Sequence, residues 1–257
     1  MKIKLIYSYN GSNFSGSQSQ PHKNSVEDRL KMALFRVGIF EKLTTASRTD
    51  KGVHALNQVS TTNCGEFWDL DKLKKQLNRH ARPLIDIKKI EKVSSEFHPR
   101  FSAKKRNYRY ILNHSNFSPF LENLCLFYDK IDIEKLNLSL SKFIGKHDFK
   151  DFMKTGSDIK DSIREIYKAY AFSYKNLTII KFQANGFLRS QVRLMVANVL
   201  KEQISNQKFT LEKPITRIPA SPNALYLERI FYWNLYLYYF HYWYFTNLDK
   251  YPLLNHN

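Results

Sequence analysis

The run Ser47-Arg48-Thr49-Asp50-Lys51-Gly52-Val53-His54 sets a guanidinium and a carboxylate two positions apart, in a stretch that reads as a tight loop. A carboxylate beside a cation is favoured in its ionised, oriented form, which is what a nucleophile or a general base requires. The surrounding chain of 257 residues carries 41 Lys and Arg against 23 Asp and Glu, a formal net charge of +18 at pH 7. Such an excess calls for a polyanionic partner, and nucleic acid is the first candidate. The two features together point to chemistry performed on nucleic acid.

The charge is concentrated. Between Lys72 and Arg109 there are 13 Lys and Arg against 3 acids, a net +10 in 38 residues, interleaved with Phe97, Phe101 and Tyr108. Phosphates neutralised by such a surface release counterions, so binding should depend steeply on salt. Hydrophobic residues make up 43% and aromatics 15%, an ordinary folded composition. Cys64 and Cys125 form no C-x-x-C pair and no disulfide framework. His80, His98 and His147 are scattered without metal-ligand spacing, so no metal is expected, and no Gly-rich phosphate loop or cofactor motif is present. The aromatic stretch Ile230 to Phe245 is too short for a membrane span and is broken by Asn234 and His241. It reads as a core strand with an aromatic extension. No signal or transit peptide is visible, which favours a cytoplasmic or nuclear location.

Elements that could position the loop follow from periodicity. Ile3, Leu5, Tyr7 and Tyr9 alternate with polar residues as a strand. Ser25, with Asp28 three residues on, caps a helix whose stripe is Val26, Leu30, Ala33, Leu34 and Val37, and Gly38 stops it. Leu43 to Ala46 is a short strand entering the loop, and Val53 to Thr61 is a strand leaving it. A second helix covers about Asp69 to Arg79, and strands follow at Ile87 to Val93 and Tyr108 to Leu112. Ile133 to Ile144 is amphipathic. Ile166 to Tyr174 and Leu177 to Ala184 pair across a Lys175-Asn176 turn. A helix runs from about Phe187 to Gln203, with Leu188, Val192, Met195, Val196 and Val199 at steps of three and four. Leu225 to Tyr232 is a last strand. Helices and strands mix without a long parallel-sheet pattern, which makes the class α+β.

The loop and its company resemble a known family. Ser47-Arg48-Thr49-Asp50-Lys51-Gly52-Val53-His54-Ala55 is similar to the catalytic signature of the TruA family of tRNA pseudouridine synthases. Phe97 to Ala103 with Arg106-Asn107-Tyr108-Arg109-Tyr110 resembles the family's second motif. Gly145 to Phe149, Ala184 to Arg193, and Pro219-Ala220 with Ala224 to Leu227 resemble three more, in the right order. The resemblance covers about residues 3–232.

It implies two pseudo-symmetric α+β domains, each an antiparallel sheet packed with helices, around a basic cleft. The division falls at 1–105, with the Arg-Thr-Asp loop, and 106–257, with the Arg193 helix and the aromatic tail. It implies isomerisation of uridine to pseudouridine in tRNA, in or near the anticodon arm, without cofactor, by a homodimer. Asp50 becomes the catalytic carboxylate, Arg48 the residue that holds a flipped nucleotide, and Tyr108 the ring stacked on its base. Tyr110 shares a strand face with Tyr108, so the choice between them rests on the resemblance. Arg193 becomes the partner of Asp50, and Leu225 an apolar floor. Lys104, Lys105, Arg106 and Arg109 are assigned to phosphate contact. Gly52 would permit a backbone that a side chain forbids, and His54 reads as a hydrogen-bonded structural histidine. Ser17 and Ala224 depart from the family's usual aromatic and Gly, and the tail from Trp233 has no counterpart. A non-catalytic RNA-binding protein on the same fold is the alternative, though pure binding needs no carboxylate in a basic cleft.

Overall fold

Alternation of apolar residues along the first strand buries Ile3, Leu5, Tyr7 and Tyr9 on one face and starts the sheet. The computed structural model describes residues 1–21, 23–154, 156, 161–205 and 207–232. The chain order is β1 (Lys2–Tyr9), α1 (Val26–Arg36), β2 (Thr44–Thr45), β3 (His54–Asn63), α2 (Leu70–Ala81), β4 (Ile85–Lys92) and β5 (Ala103–Asn113). Then come β6 (Leu126–Phe127), α3 (Ile133–Ser141), β7 (Gly145–Asp148), β8 (Ile163–Tyr174), β9 (Leu177–Ala184), α4 (Gln191–Ile204) and β10 (Leu225–Tyr232).

The class is α+β, with four α-helices and one ten-stranded mixed sheet among the described residues, ordered β4-β1-β3-β10-β5-β9-β8-β7, with β2 on β3 and β6 on β5. The first half runs β1-α1-β2-β3-α2-β4 and the second β5-α3-β8-β9-α4-β10. Each half places its four main strands in the same order, the fourth beside the first and the third beside the second. Separate sheets were expected. Instead β10 bridges them, antiparallel to β5 and parallel to β3 through Tyr226↔His54 and Leu227↔Ala55. The division at residues 105 and 106 falls inside β5.

Helices are held where their caps and stripes direct. Ser25 and Asp28 form the reciprocal capping box at α1, and Asp69 and Asp132 cap α2 and α3. α1 packs on α2 and α3 on α4, burying Leu30, Leu34, Leu73 and Leu77 in one half and Leu136, Leu140, Met195 and Val199 in the other. Each such side chain contributes about 1.5–3 kcal/mol of burial. The two starts furthest from expectation are those of β5 and α4. β5 begins at Ala103 because its polar residues Lys104 to Asn107 gain backbone partners from β9 and β10. α4 begins at Gln191 because Ser190 is left-handed, at φ 58°. The aromatic extension beyond Tyr232 lies outside the described residues. No helix among the described residues is long and apolar enough to cross a membrane.

Candidate active site

The loop between β2 and β3 is tied down at Ser47, Thr49, Asp50 and Val53. The Ser47 carbonyl accepts from Gln58 Nε2 (2.8 Å) and the Ser47 hydroxyl from Arg106 Nε (3.2 Å). Thr49 N–H donates to Ser17 Oγ (2.7 Å), Thr49 O accepts from Ser17 N–H (3.1 Å), and Thr49 Oγ1 pairs with the Tyr9 hydroxyl (2.8 Å). Ser17 is buried, and its three-way bonding to Thr49 clamps the loop. The Val53 N–H closes the turn onto Asp50 O, and Gly52 makes it possible at φ +83°. A Cβ at Gly52 would also lie 2.9 Å from Pro222 Cγ.

His54 ends the loop. Its Nδ1 accepts from Gly11 N–H (3.1 Å), so Nε2 carries the proton and donates to Asn223 O (2.9 Å). The ring stacks on Tyr226 at 4.5 Å, and burial pushes its pKa below the usual histidine value. Both nitrogens are committed, which leaves no lone pair for base chemistry and fits the structural role expected for it.

The loop presents Asp50 to the first turn of α4. Asp50 Oδ2 accepts from Arg193 Nη1 (3.0 Å) and from the Ser190 hydroxyl (2.7 Å). Arg193 is itself fixed by Nε donating to Ala220 O (2.7 Å). The ion pair is mostly buried, with 16% of the arginine and 29% of the aspartate side chain exposed. Hydrogen bonds to a charged group in such a setting contribute about 1.5–3 kcal/mol each. The positive end of the α4 dipole adds about 0.3–1 kcal/mol for the anion.

These groups line an open cleft of about 2150 Å³ that also contains Arg48, Tyr108 and Leu225. Tyr108 is 7% exposed and packs edge-on against Phe187 at 5.2 Å. Burial raises its phenol pKa above the usual tyrosine value. Tyr110, its neighbour on the strand face, instead donates its hydroxyl to Ser221 O (3.0 Å) and does not line the cleft. Leu225 lies at the start of β10, directly opposite Tyr110, and is 5% exposed. Arg48 is exposed, and no hydrogen bond or ion pair holds its guanidinium among the described residues.

The cleft is cationic. Among the described residues its walls carry nine Lys and Arg side chains and two carboxylates, Asp50 and Asp161. Of the four cations expected at phosphate, Arg106 lines it, bonding the carbonyls of Asn185 (2.6 Å) and Arg100 (2.9 Å). Lys104 is exposed at the start of β5 and outside the lining. Lys105 and Arg109 take the opposite strand face, Lys105 over the Tyr167 ring and Arg109 paired with Glu228 at 3.0 Å. Sequence reasoning noted Ser17 only as a departure, gave Ser190, Arg100 and Arg189 no role, and missed Arg164. Ser190 and Ser17 carry no local signal, because their contacts span 140 and 32 residues. No group of three or more His, Cys, Asp or Glu side chains that could hold a metal occurs among the described residues.

A held carboxylate inside a cationic cleft is the equipment of an enzyme acting on a polyanion. The family model for tRNA pseudouridine synthase matches residues 5–102 and 140–238. tRNA pseudouridine synthase A of Campylobacter jejuni (strain RM1221) is 49% identical over 240 residues, 90% of this chain and 100% of the relative. That of Helicobacter pylori (strain P12) is 37% identical over 243 residues, 90% of this chain and 99% of the relative. A solved Cbf5-Nop10-Gar1 complex overlaps 96% of this chain and 57% of its own at a TM-score of 0.39 and 12% identity, too distant to argue from. The chain belongs to the TruA family of tRNA pseudouridine synthases, which are isomerases.

Proposed function

We propose that Asp50 is the catalytic carboxylate that converts uridine to pseudouridine in tRNA, in or near the anticodon arm, with neither metal nor cofactor. The observation that carries this is the placement of Asp50 in the cationic cleft, fixed by Arg193 and Ser190. Isomerisation breaks the bond between N1 and C1′, turns the base and joins C5 to C1′. The C5 hydrogen leaves to solvent and N1 gains a proton. Attack at C1′, attack at C6 and proton abstraction from an elimination intermediate all require an ionised carboxylate at the reacting nucleotide.

The other residues take roles their positions suit. Arg48, unpaired at the rim, holds the extruded nucleotide, and extrusion costs a few kcal/mol that new contacts must offset. Tyr108 stacks on the uracil, worth about 1–3 kcal/mol, over the apolar floor of Leu225. Arg106 positions phosphate, as do Arg100, Arg164 and Arg189 on the same walls. The repeated strand order of the two halves supports reading them as two pseudo-symmetric domains, and Lys104, exposed outside the lining, serves RNA only where it extends beyond the cleft. Lys105 and Arg109 serve RNA only where it reaches the opposite sheet face. Two copies of the chain grip one tRNA, in the cytoplasm given bacterial relatives.

The test is tritium release from tRNA labelled at uridine C5, with mapping of pseudouridines in RNA from cells lacking the protein. Release, and loss of an anticodon-arm pseudouridine in those cells, is the expected result. Tight tRNA binding without release would leave only the RNA-binding reading.

A further inference from the structure

The start of α4 is built differently from the other helix starts. Ser25, Asp69 and Asp132 turn their side chains back to cap α1, α2 and α3, whereas Ser190 makes no side-chain cap. Its backbone lies at φ 58° and ψ 8°, a left-handed conformation that costs a non-glycine residue energy. The turn that leads into the helix is held instead by Gln191, whose Oε1 accepts from Leu188 N–H at 2.7 Å. The freed Ser190 hydroxyl reaches across 140 residues of sequence to Asp50 Oδ2, the oxygen that Arg193 also bonds. Among the described residues no donor meets Oδ1.

We infer that Ser190 is a positioning residue of the isomerisation: with Arg193 it occupies Oδ2 and fixes the carboxylate plane, so that Oδ1 is the oxygen that meets the nucleotide. This rests on the reading of Asp50 as the catalytic carboxylate. A carboxylate with one donor can rotate about its Cβ–Cγ bond and exchange its oxygens. Two donors on one oxygen suppress that rotation and leave the other oxygen's lone pairs for the reaction. Strain and a forgone cap at the residue that performs this task are the signature of a site that trades local stability for geometry.

Single-turnover tritium release, tRNA binding and thermal unfolding, measured on one set of variants, decide the matter. Ser190→Ala should slow release by about 10- to 100-fold while tRNA affinity changes by less than about threefold. Ser190→Gly should unfold at a higher midpoint than Ser190→Ala, because it relieves left-handed strain that Ala keeps, yet slow release as much as Ala does. Ser190→Asn, which tolerates the same backbone and restores an N–H donor, should recover part of the rate. Release at wild-type speed by the Ala and Gly variants overturns the inference. So do rate losses that merely follow the unfolding midpoints. Asp50→Ala in the same assay separates the two layers. If it still releases tritium, the reading of Asp50 fails and the role of Ser190 falls with it. If it is inactive while Ser190→Ala runs at full speed, only the role of Ser190 falls.

Discussion

The loop 47–53 and the cationic walls around it lie within one cleft but are held to different standards. Ser47, Thr49 and Asp50 are fixed by Gln58, Arg106, Ser17, Tyr9, Ser190 and Arg193, contacts drawn from both halves of the chain. Arg100 and Arg189 of the walls, by contrast, are exposed and form no ion pair among the described residues. Chemistry at a carbon atom demands reacting groups placed to within a fraction of an ångström. Attraction to phosphate works over several ångströms and tolerates side-chain motion, and an arginine already bound to a carboxylate would have to surrender it. Rigidity is concentrated where a bond is remade, and free charge where RNA is gathered.

The distinction can be attacked from either side. Removing Arg193 should have the largest effect. Arg193→Ala leaves Asp50 with Ser190 as its only donor and frees the Ala220 carbonyl, so single-turnover release should fall by about a hundredfold or more. Unfolding stability should drop by about 1–2 kcal/mol, a buried-pair loss discounted for partial exposure. Ser17→Ala should come next. It strands the buried Thr49 N–H at a cost of about 1–3 kcal/mol, read by denaturant unfolding, and slows release more than it weakens binding. Arg189→Ala should do the reverse. Binding should weaken, and the slope of log affinity against log salt should become shallower by about one, with the rate at saturating tRNA nearly unchanged. If the wall variant lowered the bound rate as much as the loop variants do, the distinction between the two regions would collapse.

Much of this arrangement was legible in sequence because it is local. The Ser25 and Asp28 capping box, the β1 alternation and the Lys175-Asn176 turn each lie within a window of a few residues, and each stands where expected. The Arg-Thr-Asp run marked the loop, and Tyr108 rather than Tyr110 faces the cleft. Pairing across distance was the limit. β5 hides its first strand residues behind Lys104, Lys105 and Arg106, which read as solvated charge until β9 and β10 supply partners. The same strand held a signal that was not used. Period-two alternation already puts Lys105 and Arg109 on the face opposite Tyr108, so four neighbouring cations could not all line one cleft. Ser190 carries no local cue, since a serine before a helix normally signals a cap. The continuity of the sheet was equally hidden, because it rests on two parallel residue pairs between β10 and β3.

The most direct test is single-turnover tritium release by Asp50→Ala, with tRNA affinity measured in parallel. The account predicts release lowered by at least about a thousandfold with affinity within a few fold of wild type. Retained release, or a loss of binding as large as the loss of rate, would contradict it.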